Sequence, residues 1–262
     1  MKKELSIIFS FLGINPIHFF TNVKSLGWFV RDYRHVKKAL AKNNDFAIAS
    51  LYPCLADKSD KAGTNSGHYF HQDLIVAQQV FLDSPVNHID IGSRIDGFVA
   101  HVASFRKINV IDIRELRSDL KNIEFIQLNI CDPLLPEFME MTDSISCLHA
   151  IEHFGLGRYG DPIDLDAHLK ALNNFHRMLK INGRLFLSTP IGTQRIEFNA
   201  HRVFSISYLL EKFQNLFKVE DFYYVNDQGD LIHPESLDNH KIQNNFGCEF
   251  GCGVFFLRKI ED

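Results

Sequence analysis

His88-Ile89-Asp90-Ile91-Gly92-Ser93-Arg94-Ile95-Asp96-Gly97-Phe98-Val99-Ala100-His101-Val102-Ala103 decides the fold of this chain. A short apolar run ends at Asp90, Gly92 and Gly97 bracket a loop, and Phe98, Val99, Val102 and Ala103 then recur at helical spacing. The pattern predicts a buried strand, a tight turn and the start of a helix. Free backbone N–H groups converge at such a turn and make a ligand site. A loop that merely joins strand to helix is the plain alternative.

Two ligand classes compete for the turn. Gly92 to Gly97 is a dinucleotide G-x-G-x-x-G with Arg94 where the middle glycine would let a pyrophosphate approach, which disfavours a nicotinamide cofactor. Asp90 and Asp96 also place negative charge there, so a ligand with an ammonium group and no phosphate fits better. S-adenosylmethionine (SAM) is such a ligand.

Outward from this stretch, strands and helices alternate. Ile108 to Ile113 reads as a second strand with Asp112 near its end, placed to accept hydrogen bonds from ribose hydroxyls. Phe125 to Ile130 is a third strand, followed by Asp132, where an adenine amino group could be read. A fourth, Ser144 to Ala150, runs into the polar loop Glu152-His153-Phe154-Gly155-Leu156-Gly157-Arg158-Tyr159-Gly160-Asp161-Pro162. That loop sits at the strand edge where open α/β sheets carry their sites. Asp166 to Leu179 is helical with a stop at Asn182-Gly183, and Arg184 to Thr189 is a fifth strand. Ser205 caps a helix running to Phe213, and Phe217 to Val225 and Glu249 to Leu257 are the last strands. About 20 polar residues between them read as a lid or disordered connection. The whole predicts a doubly wound, mostly parallel seven-stranded Rossmann-like α/β sheet with an antiparallel last strand.

Upstream, residues 1–60 read as a helical accessory region and residues 61–262 as the main domain. Leu26, Phe29, Tyr33, Val36 and Leu40 repeat at helical spacing within 24–42, opposite a face carrying Lys24, Arg31, Arg34, Lys37, Lys38 and Lys42. Such a helix either packs on a domain or lies on an anionic membrane surface. Gly67-His68-Tyr69-Phe70-His71-Gln72-Asp73 leads into a further helix, and its aromatic and polar groups either face the ligand or serve the surface and packing.

The net charge of −4 gives no general attraction to nucleic acid, and the 45% hydrophobic content suffices for a core. Leu5 to Phe20 is broken by Gly13, Asn15 and Pro16 and is too short to span a bilayer. Five cysteines are few and odd in number, which suits a reducing cytoplasm. Cys248-x-x-x-Cys252 lacks a second pair, and the His149/His153 spacing is generic, so no metal is expected.

Asp90-x-Gly92, Asp112, Asp132, Ile151-Glu152-His153 and Leu179-Lys180-x-x-Gly183, in that order, resemble the class I SAM-dependent methyltransferases over roughly residues 68–257. Arg94 and an extra loop residue depart from that family's glycine pattern. GHYFHQDL, HIDIGSRIDGFVAHVASFR, CLHAIEHFGLGRYGDPID and FNAHRVF resemble, over nearly the whole chain, a bacterial and nematode family of unknown function expected to be methyltransferase-like. A weaker similarity to bacterial surface-polysaccharide methyltransferases rests on the histidine after the fifth strand.

These resemblances imply a cytoplasmic enzyme that methylates a small polar acceptor, such as a sugar or sugar nucleotide. Gly92, Ser93, Arg94 and Gly97, with Asp90, would line the methionine end of SAM, Asp112 would hold its ribose and Asp132 its adenine. His153 and His201 are candidate general bases, since imidazole titrates near neutral pH. Arg158 and Arg202 could clamp an anionic group on the acceptor, with Tyr69, Tyr159 and Asp161 orienting it. A binding or scaffold protein on the same fold, and a nicotinamide oxidoreductase, are the rival expectations.

Overall fold

The computed structural model describes residues 16–41, 46–59, 63–116 and 120–261. The chain divides into two compact units, Met1–Thr64 and Asn65–Asp262.

In the first unit a helix, α1 (Pro16–Leu40), begins earlier than the periodicity of 24–42 suggested. Phe19, Phe20, Val23, Leu26 and Val30 are exposed on it. Its Asp32 accepts from Lys58 at 2.8 Å, and the same ammonium lies 4.5 Å over the Trp28 ring. Lys42, and the apolar start as far as residue 15, lie outside the described residues. Among the described residues no helix is long and apolar enough to cross a membrane.

The second unit opens with α2 (His68–Asp83) and β1 (His88–Ile91), followed by a π-helical turn, Ile95–Val99, and the short α3 (Ala100–Ala103). β2 (Ile108–Asp112), β3 (Ile123–Gln127) and β4 (Thr142–Leu148) follow, then α4 (Ala167–Met178) and β5 (Leu179–Ile191). A hairpin, β6 (Arg195–Glu197) and β7 (His201–Val203), precedes α5 (Ile206–Phe213). The chain finishes with β8 (Phe217–Val225), β9 (Leu231–Ile232), α6 (Asn239–Gln243) and β10 (Gly251–Lys259).

The main sheet has the order β3-β2-β1-β4-β5-β10-β8-β9. β1 to β5 pair in parallel, and β10 runs antiparallel between β5 and β8. The doubly wound sheet with its antiparallel last strand is therefore as expected, but it has eight strands rather than seven. The additional strand, β9, comes from the connection read as a lid or disordered: Leu231–Ile232 pairs with β8, and Ile242 of α6 is buried in the core. The helix expected to run to Leu179 ends at Met178 because the chain passes straight into β5, and Asn182, at φ 62°, instead bends the irregular first part of that strand.

Side-chain alternation explains the two covered faces. Leu185, Leu187, Phe255 and Leu257 join one core with Phe175 of α4 and Phe213 of α5, while Phe186, Val254 and Phe256 join another with Val76, Val80, Phe98 and Val102. Each fully buried aliphatic or aromatic side chain contributes about 1.5–3 kcal/mol. A helix cap such as the bond from Tyr208 N to Ser205 Oγ contributes about 1 kcal/mol. Packing of both faces, not capping, therefore sets the architecture.

One polar ladder interrupts the second core. His88 and Asp90 of β1 stand opposite Ser144 and Ser146 of β4. The His88 ring is 2.8 Å from Ser144 Oγ and 3.1 Å from Ser146 Oγ, and Ser146 donates to Asp90 at 2.6 Å. Because Ser146 spends its proton on Asp90, His88 Nε2 donates to Ser146 and Nδ1 accepts from Ser144, which is the neutral ring. Burial pushes His88 down to about 3. The unfolded ring titrates near 6.5, so below that pH only the unfolded chain takes up the proton, and stability falls with falling pH. This one ring costs about 2 kcal/mol at pH 5. His88→Gln keeps one donor and one acceptor without titrating, so its melting temperature should fall less than the wild type's between pH 7 and pH 5. Equal falls would refute a neutral buried imidazole.

Candidate active site

The loops after β1, β2, β3 and β4 open onto one cavity of about 630 Å³. It lies at the carboxyl edge of the parallel strands, where α/β sheets bind ligands, and its size suits a small molecule. Gly92, Asp112, Asp132, Ala150 and His153 line it, with Tyr69 from α2. Gly92 has φ 72°, and a Cβ there would stand 2.9 Å from that of Ala150. Both backbone and space therefore require a glycine, which leaves bare main chain facing the cavity.

Three residues expected at the methionine end lie elsewhere. Asp90 is 0% exposed and does not line the cavity. It accepts from Ser93 N at 3.1 Å, from Ser93 Oγ at 2.6 Å and from Ser146, and burial raises its carboxyl to about 7. It is a buried tie, not a charge presented to a ligand. Ser93 is buried with it, its Oγ also accepting from Leu148 N at 3.1 Å. Gly97 faces α2: a Cβ there would lie 2.5 Å from Asp73 Oδ2, so this glycine makes room for a buried carboxylate. Arg94 does line the cavity, but it is paired with exposed Asp96 at 3.0 and 2.7 Å, so Asp96 offers no free charge.

Asp112 faces the cavity, and Arg114 grips it: Nε donates to Oδ1 at 3.0 Å and Nη2 to Oδ2 at 2.6 Å. Arg114 and Arg158 both approach the Tyr159 ring, at 4.5 and 5.2 Å from its centroid. A carboxylate accepts about four hydrogen bonds, and Asp112 takes three from the Arg114 side chain and backbone. Asp132 accepts from Asn129 Nδ2 at 3.0 Å, and Asn174 pins its turn by donating to the Ile130 and Asp132 carbonyls. Neither the Arg114 clamp nor the Asn174 anchor was legible, because each depends on a contact that strand patterning does not encode.

The loop after β4 carries the chemistry-bearing side chains. His149 takes a left-handed φ of 51° and donates from Nδ1 to Glu152 Oε1 at 2.9 Å. His153 donates from Nδ1 to the Ala200 carbonyl at 2.7 Å, and its Nε2 lies 3.8 Å from Glu152 Oε1 without donating a hydrogen bond. Burial moves His153 below its ordinary value, partly offset by Glu152, so the ring is neutral at pH 7. Arg158 and Tyr159 line the cavity with it, and Arg158 also donates to the Ala200 carbonyl at 3.1 Å. Asp161 lines the cavity while accepting from the backbone N–H groups of Gly155, Gly157 and Tyr159, so it shapes the loop.

Two further expectations need correction. Arg202 is 6% exposed and donates to the carbonyls of Glu152, Phe154 and Leu165. Those bonds, together with its burial, turn both Nη groups to the loop, so it braces the loop instead of clamping an acceptor. His201 does not line the cavity, since β7 sets its ring behind that of His153, 6.2 Å away, and against Phe250 at 5.2 Å. Of the aromatic cluster at the start of α2, His68 and Tyr69 reach His149, with ring centroids at 5.1 and 5.0 Å, whereas Phe70 packs on His71.

Comparison with solved structures shows the class I methyltransferase fold. The 1,6-didemethyltoxoflavin-N1-methyltransferase of Burkholderia thailandensis, solved with 1,6-didemethyltoxoflavin and S-adenosylhomocysteine, is 13% identical, with a TM-score of 0.51 over 90% of this chain and 91% of that one. The [4+2]-cyclase SpnF is 12% identical, with a TM-score of 0.51 over 83% of this chain and 86% of that one. One of these names is a methyltransferase and the other a cyclase, so the shared fold leaves the reaction open. A search of curated proteins returns no match to this sequence. A model of one family matches residues 96–246, more than half of the chain, from the π-helical turn through the loop after β4 to the segment before β10. By that match the chain belongs to the family described as "Caenorhabditis protein of unknown function, DUF268".

Proposed function

We propose that residues 61–262 form a SAM-dependent methyltransferase domain acting on a small polar acceptor, a sugar or nucleotide sugar of surface-polysaccharide synthesis. The observation that carries this reading is the shared cavity, which brings Gly92, Asp112, Asp132 and His153 to one ligand-sized space. Bare main chain at Gly92 fits the methionine end of SAM, Asp112 the ribose diol and Asp132 the adenine edge. When bound, SAM supplies a methyl group activated by its sulfonium.

The protein's own contribution is alignment and proton removal. In-line displacement demands that nucleophile, methyl carbon and sulfur be collinear, and a closed set of loops provides that constraint. His153, neutral and held at Nδ1 by the Ala200 carbonyl, presents Nε2 to take a hydroxyl proton. Such a base contributes roughly 100- to 10,000-fold. The Arg114 and Arg158 guanidinium groups at Tyr159 supply cations for a phosphate or carboxylate on the acceptor. The rival reading, a binding protein that has lost transfer, draws on Arg114, which already occupies much of Asp112.

The free cysteines suit a reducing cytoplasm. The basic helix of the first unit, with Phe19, Phe20 and Val23 exposed, suits peripheral contact with an anionic membrane.

SAM at about 100 times its dissociation constant should stabilise the protein by about 2.7 kcal/mol, raising its melting temperature, and Asp112→Ala should abolish the shift. No shift at millimolar SAM would remove the cofactor from the proposal. With a panel of nucleoside-diphosphate sugars, the wild type should release S-adenosylhomocysteine, and His153→Gln should slow release by roughly 100-fold or more. Because burial holds His153 below its ordinary value, the wild-type rate should fall on acidification with a midpoint below that of a free imidazole; a midpoint above it would assign the base elsewhere. Deleting residues 24–42 should abolish co-sedimentation with anionic vesicles, and undiminished binding would refute the membrane role.

A further inference from the structure

Beside the cavity, three side chains from distant parts of the chain converge: His68 at the start of α2, His149 after β4 and Cys252 in β10. One ligand atom of each lies within 4.8 Å of the others. We propose that they bind a borderline-soft divalent cation of the zinc class through three protein ligands, a site independent of methyl transfer.

The case begins with His149. Its side chain is 6% exposed, its Nδ1–H is committed to Glu152 Oε1, and its Nε2 has no hydrogen-bond partner. Nε2 is thus packed toward the Cys252 thiol with no hydrogen bond of ordinary length, a buried position that favours a cation between imidazole and sulfur. The Glu152–His149 pair also has the arrangement by which a carboxylate orients a metal-binding imidazole and raises its basicity. Glu152 is 1% exposed, so this support is built into the core.

The partners fit the same role. The His68 ring lies parallel to His149 within 23°, with one ring nitrogen inside the cluster. Cys252 is fully buried, and its Sγ has only long contacts, 3.7 Å to Gln72 Oε1 and 3.8 Å to the Gly253 carbonyl. Two imidazoles and one thiolate form a nitrogen–sulfur set that selects zinc over magnesium or calcium. Tetrahedral binding with bonds of about 2.0–2.3 Å sets the donors about 3.3–3.6 Å apart, so the three side chains need close by only about 1 Å. Binding releases the Cys252 proton to solvent. Three ligands leave the fourth position for water or another small ligand, and His149 lines the cavity, so the ion borders it.

Residue spacing does not reveal this site. The pairs that spacing suggests, His149 with His153 and Cys248 with Cys252, are not the ones that meet; the cluster forms only when α2, β4 and β10 reach one edge.

The test uses the full chain, stripped with chelator and titrated with Co²⁺ and then Zn²⁺. One equivalent of Co²⁺ should give tetrahedral visible bands and a thiolate-to-cobalt charge-transfer band, both bleached by Zn²⁺. Cys252→Ser should lose the charge-transfer band and Cys248→Ser should retain it. His68→Ala alters a partly exposed helix start and should fold even if Cys252→Ser does not; it should weaken Zn²⁺ binding by about tenfold or more, and Glu152→Gln by about 10- to 100-fold. A wild type without the bands, indicating a bare imidazole–thiol pair, overturns the proposal, as does Zn²⁺ affinity unchanged by His68→Ala.

Discussion

The Asp90 carboxylate, sealed under the loop after β1, is the tie on which the site depends. It binds the loop through Ser93 and the neighbouring strand through Ser146, while Ser93 Oγ accepts from Leu148 N at the end of β4. Two strand ends are thereby fixed to each other, and the close approach of Gly92 to Ala150 follows. A single intramolecular hydrogen bond contributes about 1 kcal/mol, but a buried carboxylate stripped of its donors costs more than any one bond returns. The group must therefore keep all its partners or be replaced outright.

That arrangement changes the electrostatic picture of the pocket. Carboxylates that face it are met by neighbouring groups: Asp112 by Arg114, Asp132 by Asn129, and Asp161 by three backbone N–H groups. The cavity thus combines compensated carboxylates with apolar walls such as Ile91, Ile111, Leu128 and Phe154, rather than being uniformly negative. Selectivity then rests on where each acceptor and donor points. Loop bracing is equally internal, since Arg202 donates to three loop carbonyls, those of Glu152, Phe154 and Leu165.

Much of the fold was legible because its signals are local. Strand β8 begins and ends where the apolar pattern does, Ser205 caps α5, and Asp112 stands at the end of β2 facing the cavity. β9 escaped notice because two residues cannot establish a period. Site residues were legible only as far as chain order predicts an edge. His153 and His201 looked alike in sequence, yet the β6–β7 hairpin turns one ring into the cavity and leaves the other behind it. Ser93, Gly97 and Arg202 carried the residue types expected of ligand contacts, but they serve the protein's own carboxylates and carbonyls.

The antiparallel strand β10 has a consequence for the order of assembly. Residues 251–259 lie between β5 and β8, which are not paired with each other. Until they arrive, β5 ends in an open edge and β8 has only the two-residue β9 beside it. During synthesis the earlier strands can pair as they leave the ribosome, whereas this half of the sheet must wait for residues 251–259. The interval leaves Leu187 and Phe222 without the Phe255 side chain that pairs with both, so two apolar strand edges stay exposed until β10 joins them.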